Sequence, residues 1–276
     1  MNDDRLEHPL HQYIRPGAFV TAACPGCGNG IIAGAFLRAI QNLGLSMDDF
    51  VFVSGIGCSA WIPSPYFHAD MLHTTHGRPL AFATGIKFGL PEKHVVVISG
   101  DGDLVAIGGN HFIQSARRNL PVLCILVNNF IYGMTGGQVG PTTPTGYRTT
   151  TTPYGNPEPN FDIPRLAEGA GASFVARWTI YHVRQLTRTL QKALQKDGFR
   201  LVEVITQCPT HVGRRAALGS AVKMLELFRD SSVPVSRAQK MSPEELEGKI
   251  VVGEMVDKEG YPLMAEYGRM GKKASG

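Results

Sequence analysis

Two apolar runs, each followed at once by a polar turn, constrain the fold of this chain most. The runs cover 94–99 and 121–128, and their β-branched, apolar composition is typical of strands buried on both faces of a sheet. Further strands are predicted near 49–53, 173–176 and 201–205, with helical patterns between them. Alternating strands and helices indicate a parallel sheet. The sequence therefore predicts an α/β fold, a doubly wound and mostly parallel sheet with helices on both faces.

Length and charge set the domain organisation and exclude several classes of protein. The 276 residues, 43% of them hydrophobic, suffice for one large α/β domain with extra segments at its ends. We predict an N-terminal arm over 1–23, the domain over 24–232 and a C-terminal arm over 233–276. No apolar run approaches the ~18–20 residues of a membrane span. The net charge of +4 is too small for a nucleic-acid surface, and the expected location is cytoplasmic, with no membrane or nucleic-acid partner.

The polar turns after the two apolar runs carry the first candidate chemistry. Gly100-Asp101-Gly102-Asp103 follows one run, and Asn128-Asn129 follows the other. In doubly wound sheets ligands bind at the carboxyl ends of the strands, where glycines and helix N-termini accommodate phosphate groups. A carboxylate beside a diphosphate needs a bridging cation, and Mg²⁺ prefers oxygen ligands. Asp101, the amide oxygen of Asn129 and a nearby main-chain carbonyl are suitable ligands.

The cysteines form the second candidate constellation. Cys24 and Cys27 are two residues apart, and Cys58 and Cys208 also lie in turns at the ends of elements. Cys124 lies inside an apolar run and is interpreted as a core residue. Disulfides are improbable in a reducing compartment, and four thiolates suit either a [4Fe–4S] cluster or a tetrahedral Zn²⁺. The spacing leaves that choice open.

Together these motifs resemble a known family over nearly the whole chain. The Gly-Asp-Gly…Asn-Asn pattern is similar to the thiamine diphosphate and Mg²⁺ motif of thiamine-dependent enzymes. With the cysteines, the chain resembles the β subunit of 2-oxoacid:ferredoxin oxidoreductases, and among these the 2-oxoglutarate-using members most. The residues that carry the resemblance are Cys24–Gly28, Gly55–Ser59, His76–Arg78, Gly100–Asp103, Asn128-Asn129, Tyr132–Gln138 and Cys208–Thr210.

The resemblance implies a thiamine-diphosphate-binding fold of the diphosphate-binding type and three cofactors. These are thiamine diphosphate, Mg²⁺ and one [4Fe–4S] cluster held by Cys24, Cys27, Cys58 and Cys208. The Mg²⁺ would be bound by Asp101, Asn129 and the carbonyl of Ile131. His76 would make a polar contact in the cofactor cleft and is the one catalytic candidate of this chain. The implied cofactor-binding residues are Ile56, Gly57, Cys58, Ser59, His76, Gly100, Gly102, Asp103, Gly133 and Met134.

The resemblance also implies the reaction and the partners. The expected activity is the oxidative decarboxylation of a 2-oxoacid with coenzyme A, which yields acyl-CoA, CO₂ and reduced ferredoxin and is reversible. Thiamine needs an activating glutamate, but residues 1–138 contain only Glu7, in the polar arm, and Glu92, at the wrong edge of the predicted sheet. The glutamate is therefore expected on a partner α subunit, in an αβ or (αβ)₂ assembly. The chain alone is expected to be inactive.

The residues leave alternatives open for the substrate and for the function. The substrate is best interpreted as 2-oxoglutarate, with pyruvate and branched-chain 2-oxoacids open. Arg214, Arg215 and Lys87 are candidates to meet a distal carboxylate, although a structural or solvated role is favoured for each. Gly55–Ala60 matches the dinucleotide fingerprint GxGxxA, but no acidic residue follows at the usual distance of ~20 residues. Rival functions are a non-catalytic zinc-binding α/β subunit and a thiamine-dependent decarboxylase without an electron acceptor.

Overall fold

The computed structural model describes residues 8–18 and 22–274, and within these residues a central sheet of eight strands organises the fold. The strand order in the sheet is β2-β1-β3-β4-β8-β7-β10-β9, and neighbouring strands from β2 to β7 run parallel. The strands are β1 (Phe50–Ser54), β2 (Asp70–His73), β3 (His94–Gly100), β4 (Leu123–Asn128), β7 (Phe174–Thr179), β8 (Arg200–Ile205), β9 (Ser232–Pro234) and β10 (Ile250–Asp257), and a separate hairpin pairs β5 (Ile131–Tyr132) with β6 (Gln138–Val139).

Helices cover both faces of this sheet. Val96 and Ile98 of β3 pack into one hydrophobic core, whereas Val95 and Val97 pack into a second core on the opposite face. This alternation follows from the two-residue period of a strand and confirms the predicted α/β class. The helices are α1 (Asn29–Leu43), α2 (Pro79–Gly89), α3 (Gly109–Arg117), α4 (Ile163–Gly169), α5 (Val183–Leu194), α6 (Ala221–Ser231), α7 (Val235–Ala238), α8 (Pro243–Leu246) and α9 (Leu263–Ala274).

The parallel strands end at a common edge, and this edge positions the candidate site. Gly100 pairs with Val127 in the register of β3 and β4, and Asn128 pairs with Ile205 at the ends of β4 and β8. The turns that follow these strands therefore lie side by side. A π-helical turn over Gly102–Ile107 continues from β3 into α3, and a second one over Pro209–Gly213 follows β8.

Several elements differ from the sequence expectations. The segment 59–79, expected as a loop, contains a short 3-10 helix over Cys58–Trp61 and the edge strand β2. The helix expected from Ala217 begins only at Ala221, because Gly219 has a positive φ of 84° and the Ser220 side chain caps the new helix. Strand β2 was not predicted, because it is only four residues long, is largely exposed and lies in a segment rich in polar residues and prolines.

The predicted C-terminal arm contributes directly to the sheet. Strand β10 pairs antiparallel with β7 and parallel with β9, and α9 contacts α2 through the rings of Tyr267 and Phe88, whose centroids are 5.0 Å apart. The boundaries at 23/24 and 232/233 stay predictions, but this arm is packed against the domain. In the described part of the chain no helix is both long and apolar enough to cross a membrane.

Candidate cofactor site

A cavity of about 170 Å³ opens at the carboxyl edge of the sheet. It brings together the turns that follow β1, β2, β3 and β4 and the hairpin β5–β6. Every residue that the resemblance implied for the cofactor and for Mg²⁺ lines this cavity, together with two residues that it did not assign, Tyr132 and Thr135. The lining residues are Ile56, Gly57, Cys58, Ser59, His76, Gly100, Asp101, Gly102, Asp103, Asn129, Ile131, Tyr132, Gly133, Met134 and Thr135.

Glycine is sterically required at the floor of the cavity. A Cβ atom built on Gly102 would lie 2.2 Å from Cε1 of Tyr132, far inside van der Waals contact. The Tyr132 hydroxyl donates to the Gly102 carbonyl at 3.3 Å. The backbone of the turn after β3 is therefore held directly against the tyrosine ring, which leaves main-chain groups at the cavity surface.

Gly102→Ala is expected to disturb this packing. The added methyl group must displace the Tyr132 ring, and overpacking of this kind costs roughly 1–3 kcal/mol of unfolding free energy. We expect a lower melting temperature together with weaker thiamine diphosphate binding, measured by thermal denaturation and calorimetric titration. Gly109→Ala is the matched control, since a Cβ at Gly109 meets nothing within 4 Å. Equal behaviour of the two variants would contradict the steric role of Gly102.

Asp103 joins three of the segments that line the cavity. Its side chain is buried, with 2% exposure. Oδ1 accepts hydrogen bonds from the backbone N–H of Gly77 at 2.7 Å and of Ile56 at 3.2 Å, and from Nδ1 of His76 at 2.5 Å. Oδ2 accepts from the Ser99 hydroxyl at 2.8 Å. The carboxylate therefore orients His76 and fixes the loop after β1 in place.

Asp101 is a buried carboxylate with one side-chain donor among the described residues. Thr142 Oγ1 donates to Asp101 Oδ2, and the aspartate is only 3% exposed. Burial is the main cause that raises the pKa of Asp101 to about 6. A buried carboxylate of this kind is stabilised by a nearby cation. Thr142 was not predicted, because the long loop holds many threonines and no local signal distinguishes this one.

Side-chain hydrogen bonds at the ends of β4 and β8 stabilise the turn that carries Asn129. Asn128 Nδ2 donates to Glu203 Oε1 at 2.8 Å, and Asn128 Oδ1 accepts from the backbone N–H of Phe130 at 3.1 Å. Glu203, fully buried, also accepts from Arg177 Nε at 2.5 Å. Phe130 has a positive φ of 67°, so the side chain of Asn128 stabilises an uncommon backbone conformation. This network was not predicted, although the lone carboxylate of Glu203 inside the apolar run 201–205 is a signal that could have indicated it.

Glu203→Gln is expected to destabilise the chain by about 3 kcal/mol, since it leaves the buried guanidinium of Arg177 without its main charge partner. Burial disfavours the charge of Arg177, but Glu203 and Asp162 together raise its pKa. Chemical denaturation measures the change. Glu254→Gln is the control, because the Glu254–Lys192 pair is well exposed and its loss costs less than about 1 kcal/mol. A loss no greater than that of the control would contradict the role of the buried pair.

Hydrogen bonds connect the three segments that contain the four candidate cysteine ligands. Gln207 Nε2 donates to the Gly26 carbonyl at 2.8 Å, between Cys24 and Cys27. Asn29 Nδ2 donates to the Cys58 carbonyl at 3.1 Å. A Cβ atom built on Gly133 would lie 3.7 Å from Cys208 Sγ and 3.8 Å from Cys58 Sγ. Cys24, Cys27, Cys58 and Cys208 therefore lie near one another beside the cofactor cavity.

The thiols of this cluster influence one another electrostatically. The pKa of Cys58 is raised to about 11, chiefly by burial and then by the charges of Cys208, Cys27 and Cys24. Burial also raises the pKa of Cys27. Within residues 8–18 and 22–274, no three His, Cys, Asp or Glu side chains stand at the spacing of ligands to a single ion. Cys124 lies apart from them and is fully buried in the core.

The comparisons with known proteins agree with this geometry. The family model of the thiamine pyrophosphate enzyme C-terminal TPP binding domain matches residues 55–204, just over half of the chain. The 2-oxoglutarate synthase subunit KorB of Methanocaldococcus jannaschii is 50% identical over 266 residues, which cover 96% of this chain and 98% of that protein. The chain is a β subunit of the 2-oxoacid:ferredoxin oxidoreductase family. The resemblance inferred from the motifs is confirmed, as is the presence of a thiamine-diphosphate-binding domain.

Further relatives of this β subunit support the assignment. KorB of Archaeoglobus fulgidus is 54% identical over 72% of this chain and 74% of its own length. The β subunit of a 2-oxoacid:ferredoxin oxidoreductase from Saccharolobus solfataricus is 43% identical over 68% of this chain and 62% of its own. A solved 2-oxoglutarate:ferredoxin oxidoreductase from Magnetococcus marinus, with 2-oxoglutarate, coenzyme A and succinyl-CoA bound, superposes with a TM-score of 0.86 at 29% identity, covering 99% of this chain and 93% of that one.

Proposed function

We propose that this β subunit binds thiamine diphosphate, Mg²⁺ and one [4Fe–4S] cluster in an enzyme that oxidatively decarboxylates 2-oxoglutarate. The products are succinyl-CoA, CO₂ and reduced ferredoxin. The observation that carries the proposal is that Cys58 belongs to both parts of the site. It lines the cofactor cavity. Its sulfur also lies near that of Cys208, across Gly133, and its carbonyl accepts a hydrogen bond from Asn29, two residues after Cys27. One loop would thus join the site of decarboxylation to the site of electron transfer.

The cavity residues suit thiamine diphosphate and its metal ion. Bound thiamine diphosphate supplies an electron sink for decarboxylation. Because the Tyr132 ring leaves no room for a side chain at position 102, the backbone around Gly102 would accommodate the diphosphate. Asp101, Asn129 and the Ile131 carbonyl offer the oxygen ligands that Mg²⁺ prefers, and a cation there would offset the burial of Asp101.

The cysteine cluster suits a group larger than one metal ion. The thiolates around a four-iron cluster stand further apart than those around a single ion, which is compatible with neighbouring thiols that form no single-ion site. Two buried oxygens in the segment before Cys208, Thr206 Oγ1 and Gln207 Oε1, lack a hydrogen-bond partner among the described residues. The Thr206 hydroxyl is a donor, and such groups tune clusters when they bond to sulfur.

His76 would act on a proton within the cavity. Its Nδ1 donates to Asp103 Oδ1, so the neutral ring keeps Nε2 as its acceptor. A buried carboxylate that orients a histidine fixes its tautomer, as in other acid–base sites. His76 is partly exposed and lines the cavity, so we assign it a polar or proton-transfer role toward substrate or cofactor.

The site is incomplete in one chain. Among the described residues, which do not include Glu7, no glutamate lines the cavity, and Glu203 is bound to Asn128 and Arg177. Ile56 and Met134 remain 40% and 49% exposed beside the cavity, as expected of residues covered by a partner. A partner α subunit would supply the activating glutamate in an αβ or (αβ)₂ assembly, with ferredoxin as electron acceptor. The expected location remains cytoplasmic, in line with free thiols in a reducing compartment.

The choice of 2-oxoglutarate rests on the relatives named above, and pyruvate and branched-chain 2-oxoacids are the alternatives. Arg214 and Arg215 follow the cysteine-bearing turn after β8 and remain candidates to meet a distal carboxylate. Lys87 is excluded from that role, because it lies in another cavity, at the opposite edge of the sheet.

Coexpression with a partner α subunit under anaerobic conditions tests the proposal. The expected result is a brown complex containing iron and sulfide, which reduces a viologen dye with 2-oxoglutarate only when coenzyme A is present. A panel of 2-oxoacids identifies the preferred substrate. A colourless protein containing zinc would support the non-catalytic rival, and decarboxylation without dye reduction would support a simple decarboxylase. Either result would overturn the proposal.

A further inference from the structure

We propose that this chain holds a second ligand site, for a small molecule bearing a carboxylate or phosphate group, at the amino edge of the sheet. The site is a cavity of about 480 Å³, within the usual range of about 300–1,000 Å³ for small-molecule sites. Its charged lining consists of four cations, Lys87, Lys93, Lys196 and Arg200, and two carboxylates, Glu92 and Asp197. Lys196 is already paired with Asp257, so the positive charge offered to a ligand comes from Lys87, Lys93 and Arg200. Nothing in the family assignment or the proposed reaction uses these residues.

The topology separates this cavity from the cofactor site. His94 begins β3 and Arg200 begins β8, and both line the new cavity. The cofactor cavity lies beyond the last residues of the parallel strands, at Gly100 and beyond. Strands of this length span about 20 Å, so a ligand at the amino edge could not touch the reacting atoms.

Arg200 is the principal cation of the cavity. It is 6% exposed, and its Nη1 donates to the carbonyls of Ala193 at 3.3 Å and Lys196 at 2.5 Å. Its Nε has no hydrogen-bond partner among the described residues. Burial lowers the pKa of Arg200 to about 10, and only Asp197 opposes this change. A buried guanidinium with an unused donor is costly unless an acceptor is bound.

Lys87 is a second buried cation in the same cavity. It is 9% exposed, and its Nζ donates to the carbonyls of Pro91 and Lys93, each at 2.8 Å. Burial lowers the pKa of Lys87 and the charge of Arg200 lowers it further, while the charges of Asp197 and Glu92 oppose the change. The two cations are therefore close enough to repel each other. Burial also lowers the pKa of His94, and the charges of Arg200 and Lys87 add to that shift.

The surrounding backbone does not neutralise this charge. The carbonyls that accept hydrogen bonds from Arg200 and Lys87 lie at or just beyond the C-termini of α5 and α2. A helix C-terminus carries only about half a negative charge. The carboxylates that line the cavity, Glu92 and Asp197, are exposed to water. The buried side of the cavity thus keeps a positive potential, which an oxyanion would balance. Arg200 can bind either a carboxylate or a phosphate through its planar fork.

Calorimetric titration of the αβ complex tests this site. The complex is first saturated with thiamine diphosphate and Mg²⁺, so that the cofactor site cannot take up the probe. Inorganic phosphate and acetate, which does not chelate Mg²⁺, are then titrated in separate arms. Lys87→Met keeps the apolar stem and removes the charge. We expect it to weaken binding of the preferred probe about tenfold, as expected for a lost charge-assisted hydrogen bond. The probe that binds with the higher affinity shows whether the site prefers a phosphate or a carboxylate group.

Two further variants keep the test decisive. Glu92→Gln removes an opposing charge at the cavity and is expected to tighten binding about two- to threefold, and it does not depend on Lys87→Met folding. Lys223→Met, an exposed lysine on α6 outside the cavity, is the matched control and should leave binding unchanged. Absence of binding by both probes, or affinities unchanged in Glu92→Gln and in folded Lys87→Met, would overturn the proposal.

Discussion

Asp101→Asn is expected to abolish the Mg²⁺-dependent binding of thiamine diphosphate and, with it, the activity of the complex. Asparagine has nearly the shape of aspartate but lacks the charge that a metal ion requires. Substitutions of groups that merely orient metal ligands typically cost 10–100-fold in affinity or activity, so loss of a ligand should cost more than about 100-fold. Calorimetric titration of thiamine diphosphate in the presence of Mg²⁺ measures the effect.

The stability of the variant separates a lost ligand from a damaged fold. Burial opposes the charge of Asp101, so removing that charge should leave the cofactor-free protein at least as resistant to thermal unfolding as the parent. Asp70→Asn is the control, since Asp70 is exposed on the edge strand β2, and it should bind cofactor normally. Normal cofactor binding by Asp101→Asn would remove Asp101 from the metal site.

Cys58→Ala is expected to abolish ferredoxin reduction while part of the thiamine diphosphate binding survives. The substitution removes one of four candidate cluster ligands but leaves the backbone of the loop and the Asp103 contacts with Ile56 and Gly77. The measurements are iron and sulfide content, the visible absorption of the complex, and the rate of ferredoxin reduction with 2-oxoglutarate and coenzyme A.

Cys124→Ala is the matched control for this substitution. Cys124 is fully buried on β4, and burial raises the pKa of its thiol far above the usual range, which is typical of an inert core cysteine. Its replacement should cost about 1 kcal/mol of stability but no iron. A brown, fully active Cys58→Ala complex would overturn the cluster assignment.

The two cavities show how far local sequence patterns reach. Glycines, aspartates and asparagines directly after strands indicated the cofactor site, because parallel strands bring the turns at their carboxyl ends to one edge. The cavity at the amino edge left no such signal. Its cations come from α2, the turn before β3, the segment after α5 and the start of β8, and each looks like an ordinary lysine or arginine in the sequence. Only packing shows that Lys87 and Arg200 are buried together.

Asp101 and Asp103 show that local sequence patterns also fail to predict contacts within one site. Both were predicted at the site because they flank Gly102 in one turn. The resemblance assigned Asp101 to Mg²⁺ and Asp103 to the cofactor, but no local pattern predicted that Asp103 accepts hydrogen bonds from four groups: His76, Gly77, Ile56 and Ser99. These contacts depend on where the loop after β2 returns to the sheet. The partner Thr142 is 41 residues away from Asp101, beyond any local pattern.

The sequence by itself determined the elements of this protein: the buried strands, the glycine turns, the separation of Cys124 from the other four cysteines, and the absence of a suitable glutamate in the first 138 residues. These features depend on local periodicity, backbone freedom and residue chemistry, all of which can be read from one amino-acid sequence. Only the tertiary structure decided which of these groups meet. Asn128 and Glu203 are 75 residues apart, and their contact follows from the register of β4 against β8, a long-range property set by the packing of the whole sheet.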